Sequence, residues 1–254
     1  MGALSGKRVL LPRSEEQASE TVALLEAHGA EVVAFPAIAF VPPTDPAPLR
    51  AAMAHLNDYT WITFTSANAV RWFLRELPEG ARVTAKIASV GPKTSELLRE
   101  RGLSPAVQAN VHRADALAHA LLGAVTEPAR ERILFPRAEE GRDDLRDALI
   151  EAGAEVDCVA AYRTELPGES DRAALLAELE KGIDAILFSS PSTVRNLVEL
   201  VGGAHRVRAA ACIGAIGPVT AAAAKQAGLA VHVTADPSTM EALVSALEAY
   251  FAAR

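Results

Sequence analysis

The stretch "WITFTSANAV", residues 61–70, carries a strand-like run abruptly into hydroxyl and amide side chains, and "AILFSSPSTV", residues 185–194, does the same 124 positions later. Each reads as a buried strand, Trp61 to Phe64 or Ala185 to Phe188, that turns at once into a helix. Ser66 is placed to cap the first helix through its side-chain oxygen. Ser190 is placed to cap the second, with Pro191 at the first helical position. Working outward, "RVLLPR" from Arg8 recurs as "RILFPR" from Arg132, and "GAEV" from Gly29 recurs from Gly153, both at the same offset of 124. "VGPKT" from Val90 recurs as "IGPVT" from Ile216, where the offset has grown to 126. Four motifs in one order at nearly one spacing record an internal duplication.

Within the copies, apolar runs alternate with amphipathic segments. Residues 8–11, 31–35, 61–64 and 86–90 read as strands; 14–28, 68–77 and 92–101 read as helices, the first and last stopped by Gly29 and Gly102. This α/β alternation predicts parallel sheets covered on both faces, and the handedness of the crossovers leaves flavodoxin-like or Rossmann-like winding. In "FPAIAFVPPTDPAP", residues 35–48, Pro36, Pro42, Pro43 and Pro46 predict an extended connector, and "CVAAYRTELPGES", residues 158–170, is its counterpart. If both connectors cross between domains, domain A holds 1–36 with 168–254, domain B holds 43–160, and 37–42 and 161–167 link them. The residues alone leave a second path open, two consecutive domains divided near residue 128.

A net charge of -7 argues against a nucleic-acid surface, which needs a basic field. The start lacks the apolar core of a signal peptide and no run reaches membrane-spanning length, so the expected compartment is cytoplasmic, with no membrane partner. Cys158 and Cys212 are isolated, and the six histidines form neither HxH nor HExxH, so no metal is expected. Neither a P-loop nor a dinucleotide fingerprint is present. What remains is four helix N-termini at the carboxyl ends of strands, two per domain, whose unpaired N–H groups favour anions. They predict a ligand with several spread negative charges. Arg13 and Arg137 end the first strand of each copy and could pair with a carboxylate, or else stand solvated beside the first-turn acids Glu15, Glu16, Glu139 and Glu140. Tyr162, in the second connector, either packs or turns its hydroxyl into a cleft.

"FTSANAV", "VGPKT", "FSSPSTV", "IGPVT", the initial "VLLPR" and the late "DPSTMEALV" (236–244) together resemble the uroporphyrinogen-III synthase family over essentially the whole chain. The resemblance implies two flavodoxin-like parallel-sheet domains joined by a two-stranded linker, one domain being split in sequence, which favours the A–B–A path. It implies hydroxymethylbilane as substrate, a linear tetrapyrrole bearing carboxylates. The implied reaction loses water, closes the macrocycle and inverts ring D through a spiro-pyrrolenine, as a lyase step of haem biosynthesis. No cofactor is implied. A monomer is expected, with hand-over of substrate from hydroxymethylbilane synthase. Carried over by motif, Tyr162 hydrogen-bonds the departing hydroxyl. Ser66 with Ala67 and Asn68, Ser190 with Ser192 and Thr193, and also Thr94 and Thr220, hold the acetate and propionate groups, with Arg13 and Arg137 as further carboxylate partners. Val219 departs from the family, many of whose members carry a second hydroxyl there. The rival reading is a binding module, two α/β domains on a two-stranded hinge.

Overall fold

The computed structural model describes residues 2–13, 15–109, 114–207 and 212–254, the side chains of residues 15–17 and 114 excepted. In chain order the first elements are β1 (Arg8–Leu11), α1 (Glu15–Ala27), β2 (Glu31–Ala34) and β3 (Ala39–Val41). Next come α2 (Ala47–Ala54), β4 (Trp61–Phe64), α3 (Ala67–Glu76), β5 (Lys86–Val90), α4 (Pro92–Glu100), β6 (Pro105–Ala109) and α5 (Ala114–Gly123). The second copy opens with β7 (Arg132–Ala138), α6 (Asp144–Glu151), β8 (Glu155–Glu165) and α7 (Glu169–Glu180). It closes with β9 (Ala185–Phe188), α8 (Pro191–Leu200), α9 (Ala204–Val207), β10 (Cys212–Ala215), α10 (Pro218–Gln226), β11 (Val233–Thr234) and α11 (Met240–Ala252).

Two compact units result: residues 1–39 with 165–254, and residues 40–164. The sheet of the first runs β11-β10-β9-β1-β2, and that of the second runs β3-β8-β7-β4-β5-β6. Numbered within the repeat, the first order is 2-1-3-4-5 read from β2, which is flavodoxin-like winding. The second is the same order with β3 added at its edge. Strands one and two of each unit come from one copy, and strands three to five from the other. The duplication extends to the register: Val9 sits opposite Ala185 and Ile133 opposite Trp61, each pair being the other shifted by 124.

Alternation along these parallel strands divides each core in two. In the first unit Leu10, Ile186, Phe188 and Ile213 share one cluster, while Val9, Leu11, Ala185 and Leu187 share the other. In the second, Ile62, Phe64, Ile87 and Leu134 oppose Trp61, Ala88, Ile133 and Phe135 in the same way. Sheets buried on both faces explain why β4 and β9 read as continuous apolar runs.

The segments expected as connectors, 37–42 and 161–167, are largely strand: β3 spans 39–41 and β8 continues to Glu165. Pro42 and Pro43 end β3 but do not prevent it, because an edge strand tolerates flanking prolines. For the same reason β6 begins at Pro105. Ser14, read as the start of the first helix, lies outside the described residues.

Candidate active site

All four expected helix N-termini form at carboxyl ends of strands, and they divide into two kinds. Ser66 caps α3, its Oγ accepting from the Ala69 N–H at 3.0 Å. Ser190 caps α8 in a capping box: its Oγ accepts from the Thr193 N–H at 3.2 Å, and its own N–H donates to Thr193 Oγ1 at 3.2 Å. The Ser192 hydroxyl is 2.9 Å from Ser190 Oγ, so these side chains largely serve one another. Gly91 and Gly217 open α4 and α10 with no side-chain cap, leaving backbone N–H groups on offer. Thr94 and Thr220, in those first turns, are only 5% and 3% exposed, so their side chains face the core. A Cβ at Gly217 would overlap Ser238 Oγ of the "DPST" turn, so glycine is required by close approach. Val219 next to it is 72% exposed, a large apolar side chain at a strand-end edge.

The second unit holds a cavity of about 560 Å³ at this carboxyl edge. Tyr162 and Ser66 lie together in it, the phenol oxygen 3.2 Å from Ser66 Oγ. Tyr162 lies in β8 where that strand runs on into the expected connector, and a bulge brings it into position. Arg137 pairs with Ala160 but Ala138 pairs with Tyr162, so Ala161 is the extra residue. A regular strand would send Ala161 and Tyr162 to opposite faces. Here both join the cluster containing Val159 and Phe64. Tyr162 is 6% exposed, its ring edge-on to Phe40 at 5.6 Å and nearly parallel to Trp72 at 6.5 Å. Burial pushes its phenol above the ordinary value, against the opposing hydrogen bond from Ser66, and nearby Glu140 adds to the rise. It is a protonated hydrogen-bond donor throughout the neutral range.

Arg137 also lines the cavity, but its guanidinium is engaged. Nη1 donates to the carbonyls of Gly141 and Arg142 at 2.9 and 2.6 Å, and Nη2 is 2.8 Å from Asp143. Arg137 is therefore neither solvated nor free for a carboxylate of a ligand: it is folded back on its own loop and paired with Asp143. Glu139 instead accepts from the Thr44 N–H at 2.8 Å, which holds its carboxyl below the usual range. Arg142, Asp115 and Asp144 complete the charged lining. None of the three stands in a repeated motif, so the duplication did not signal them. Arg13, Ser190, Ser192, Thr193 and Thr220 belong to the other unit, and the side chains of Glu15 and Glu16 lie outside the described residues. Ala67 and Asn68 form the first turn of α3, where Asn68 Oδ1 accepts from Arg71. Among the described residues no helix is long and apolar enough to cross a membrane, and no group of three His, Cys, Asp or Glu is placed to hold a metal.

The copies differ at this cavity. Ser66 corresponds to Ser190, but Tyr162 corresponds to Ile38, so only the second unit carries the phenol.

A duplicated, doubly wound α/β protein with uncapped helix ends at its strand termini is of the class suited to a small polyanionic ligand. The family model described as uroporphyrinogen-III synthase HemD matches residues 19–245. The uroporphyrinogen-III synthase of Synechococcus elongatus is 33% identical, the match covering 96% of each chain. In fold, the chain is similar to the Helicobacter pylori uroporphyrinogen-III synthetase (TM-score 0.58, 16% identity, 98% and 100% covered). It is also similar in fold to a mutant uroporphyrinogen III synthase of the thermophile Thermus thermophilus (TM-score 0.54, 21% identity, 98% and 100% covered). The chain belongs to the uroporphyrinogen-III synthase family.

Proposed function

We propose that this chain cyclises hydroxymethylbilane to uroporphyrinogen III, and that Tyr162 assists departure of the hydroxyl. The observation that carries the assignment to Tyr162 is the buried phenol 3.2 Å from Ser66 Oγ, in a cavity at the carboxyl edge of the second unit's sheet. Loss of water breaks the terminal C–O bond, the oxygen gains negative charge as it leaves as hydroxide, and the proton that the substrate gives up on ring closure completes the water. A phenol held protonated by burial donates to that oxygen without having to ionise. Ser66 orients the phenol while its Oγ caps α3.

Ring closure requires the acidic arms to be held while the two chain ends meet. Taken unit by unit, the open amides at the start of α4 or α10, beside Thr94 or Thr220, and the capped first turn of α3 or α8 offer donors for a carboxylate. Because the phenol has no counterpart at Ile38, the hydroxymethyl end belongs in the second unit. Arg13, whose guanidinium makes no hydrogen bond or ion pair among the described residues, serves as a carboxylate partner in the first. Free substrate, supplied from hydroxymethylbilane synthase, is taken up by a cytoplasmic monomer.

The test is to supply fresh hydroxymethylbilane, oxidise the products and separate the isomers. Dominant isomer III is expected. Isomer I alone, at the uncatalysed rate, would overturn the reading and favour a binding module.

A further inference from the structure

The geometry points to Arg142, rather than Arg137, as the side chain that takes a substrate carboxylate in the second unit's cavity. Arg137 is then the positioning residue that shapes the loop presenting it. The inference rests on reading the cavity as part of the hydroxymethylbilane site.

The two copies diverge here. Helix α1 begins at Glu15, whose counterpart is Glu139, yet α6 begins only at Asp144. The second copy therefore lacks the first helical turn and has an open loop, 139–143, in its place. Arg142 corresponds to Ala18, a buried helical residue, and stands instead at the cavity with its side chain exposed.

The loop is held from both ends. The Glu139 N–H donates to the Tyr162 carbonyl at 2.8 Å, and its carboxylate accepts from Thr44. The Arg137 fork closes on the carbonyls of Gly141 and Arg142 and on Asp143. Glycine is needed at 141, because a Cβ there would lie 2.9 Å from the Ala138 carbonyl oxygen and 3.1 Å from Arg137 Cδ.

The charges then sort themselves. Arg137 is spent on the loop and neutralised by Asp143, and its side chain is only 14% exposed. Asp115 and Asp144 each stand in the first turn of a helix, where the positive helix end compensates a carboxylate. Arg142 makes no side-chain hydrogen bond or ion pair among the described residues. Among the described residues it is thus the lining cation left to meet an incoming carboxylate, and guanidinium can do so with two parallel hydrogen bonds.

The experiment compares wild type, R142Q, R142K and R137Q with hydroxymethylbilane, reading kcat, KM, isomer ratio and Tm. Losing a charge-assisted contact equal in ground and transition states should raise KM in R142Q by about tenfold and leave kcat within about twofold. R142K should recover part of the KM at unchanged Tm. R137Q should lower Tm and kcat together, because it releases the loop that carries Arg142 and adjoins Tyr162. Wild-type KM in R142Q, or a rise in KM alone with unchanged Tm in R137Q, overturns the inference. A wild type that forms no isomer III overturns the functional reading instead.

Discussion

Replacing Tyr162 by Phe removes one oxygen and keeps the ring that packs against Phe40 and Trp72. The structural loss is the 3.2 Å contact with Ser66, whose Oγ still accepts from Ala69. A neutral hydrogen bond contributes about 1 kcal/mol net, and deleting a buried hydroxyl also relieves its desolvation, so stability should change by less than about 1 kcal/mol. Turnover should fall further. A hydrogen bond to an oxygen gaining charge contributes about 1.5–3 kcal/mol, which corresponds to about 10- to 100-fold in kcat. A phenol is a weak acid, so the larger factors of full proton transfer are not expected. The assay is the initial rate of isomer III formation from fresh substrate, corrected for spontaneous isomer I. Turnover equal to wild type would remove Tyr162 from the mechanism. A fall in kcat matched by a large fall in Tm would show that the residue acts through packing instead.

Ser66→Ala and Ser190→Ala each delete a helix cap and should each cost about 1 kcal/mol in denaturant unfolding. Only the first also touches Tyr162, so kcat should fall more in Ser66→Ala than in Ser190→Ala. Gly141→Ala forces the loop away from Ala138 and should lower kcat while the far-UV spectrum stays unchanged, since the strained contacts are confined to 137–141. Burial raises the phenols of both Tyr59 and Tyr162, that of Tyr59 helped by its hydrogen bond to Asp157. A raised folded-state value means that this stabilisation is full below the unfolded value, about 10, and is lost as pH rises through the folded values. Unfolding free energy should therefore decline above about pH 10, and Tyr59→Phe should flatten that decline.

Much of the fold is legible in local sequence. The offset of 124 exposes the duplication, and strand starts and helix stops follow from apolar runs and glycines. The edge strands β3 and β11 escaped the reading because they are short, with three and two residues, and β6 because it opens on a proline. Of the candidate site, Ser66, Tyr162 and Arg137 do line one cavity, while Arg137's partner, Asp143, and the lining residue Arg142 were not foreseen. Their loop replaces a helical turn in one copy only, and a repeat search looks for what recurs.

By itself the sequence determined the repeat, the class of element in each long segment and the caps at Ser66 and Ser190. These depend on interactions within a few residues: side-chain period, a hydroxyl beside an open N–H, a proline with no N–H to lose. Only the tertiary structure decided that each sheet takes two strands from one copy and the rest, three in the first unit and four in the second, from the other. It also decided that an extra residue in β8 turns Tyr162 to the face of Ser66, and that Arg137 folds back on its own loop. Those outcomes follow from pairing between segments distant in the chain, where register and burial choose among partners that local sequence leaves equivalent.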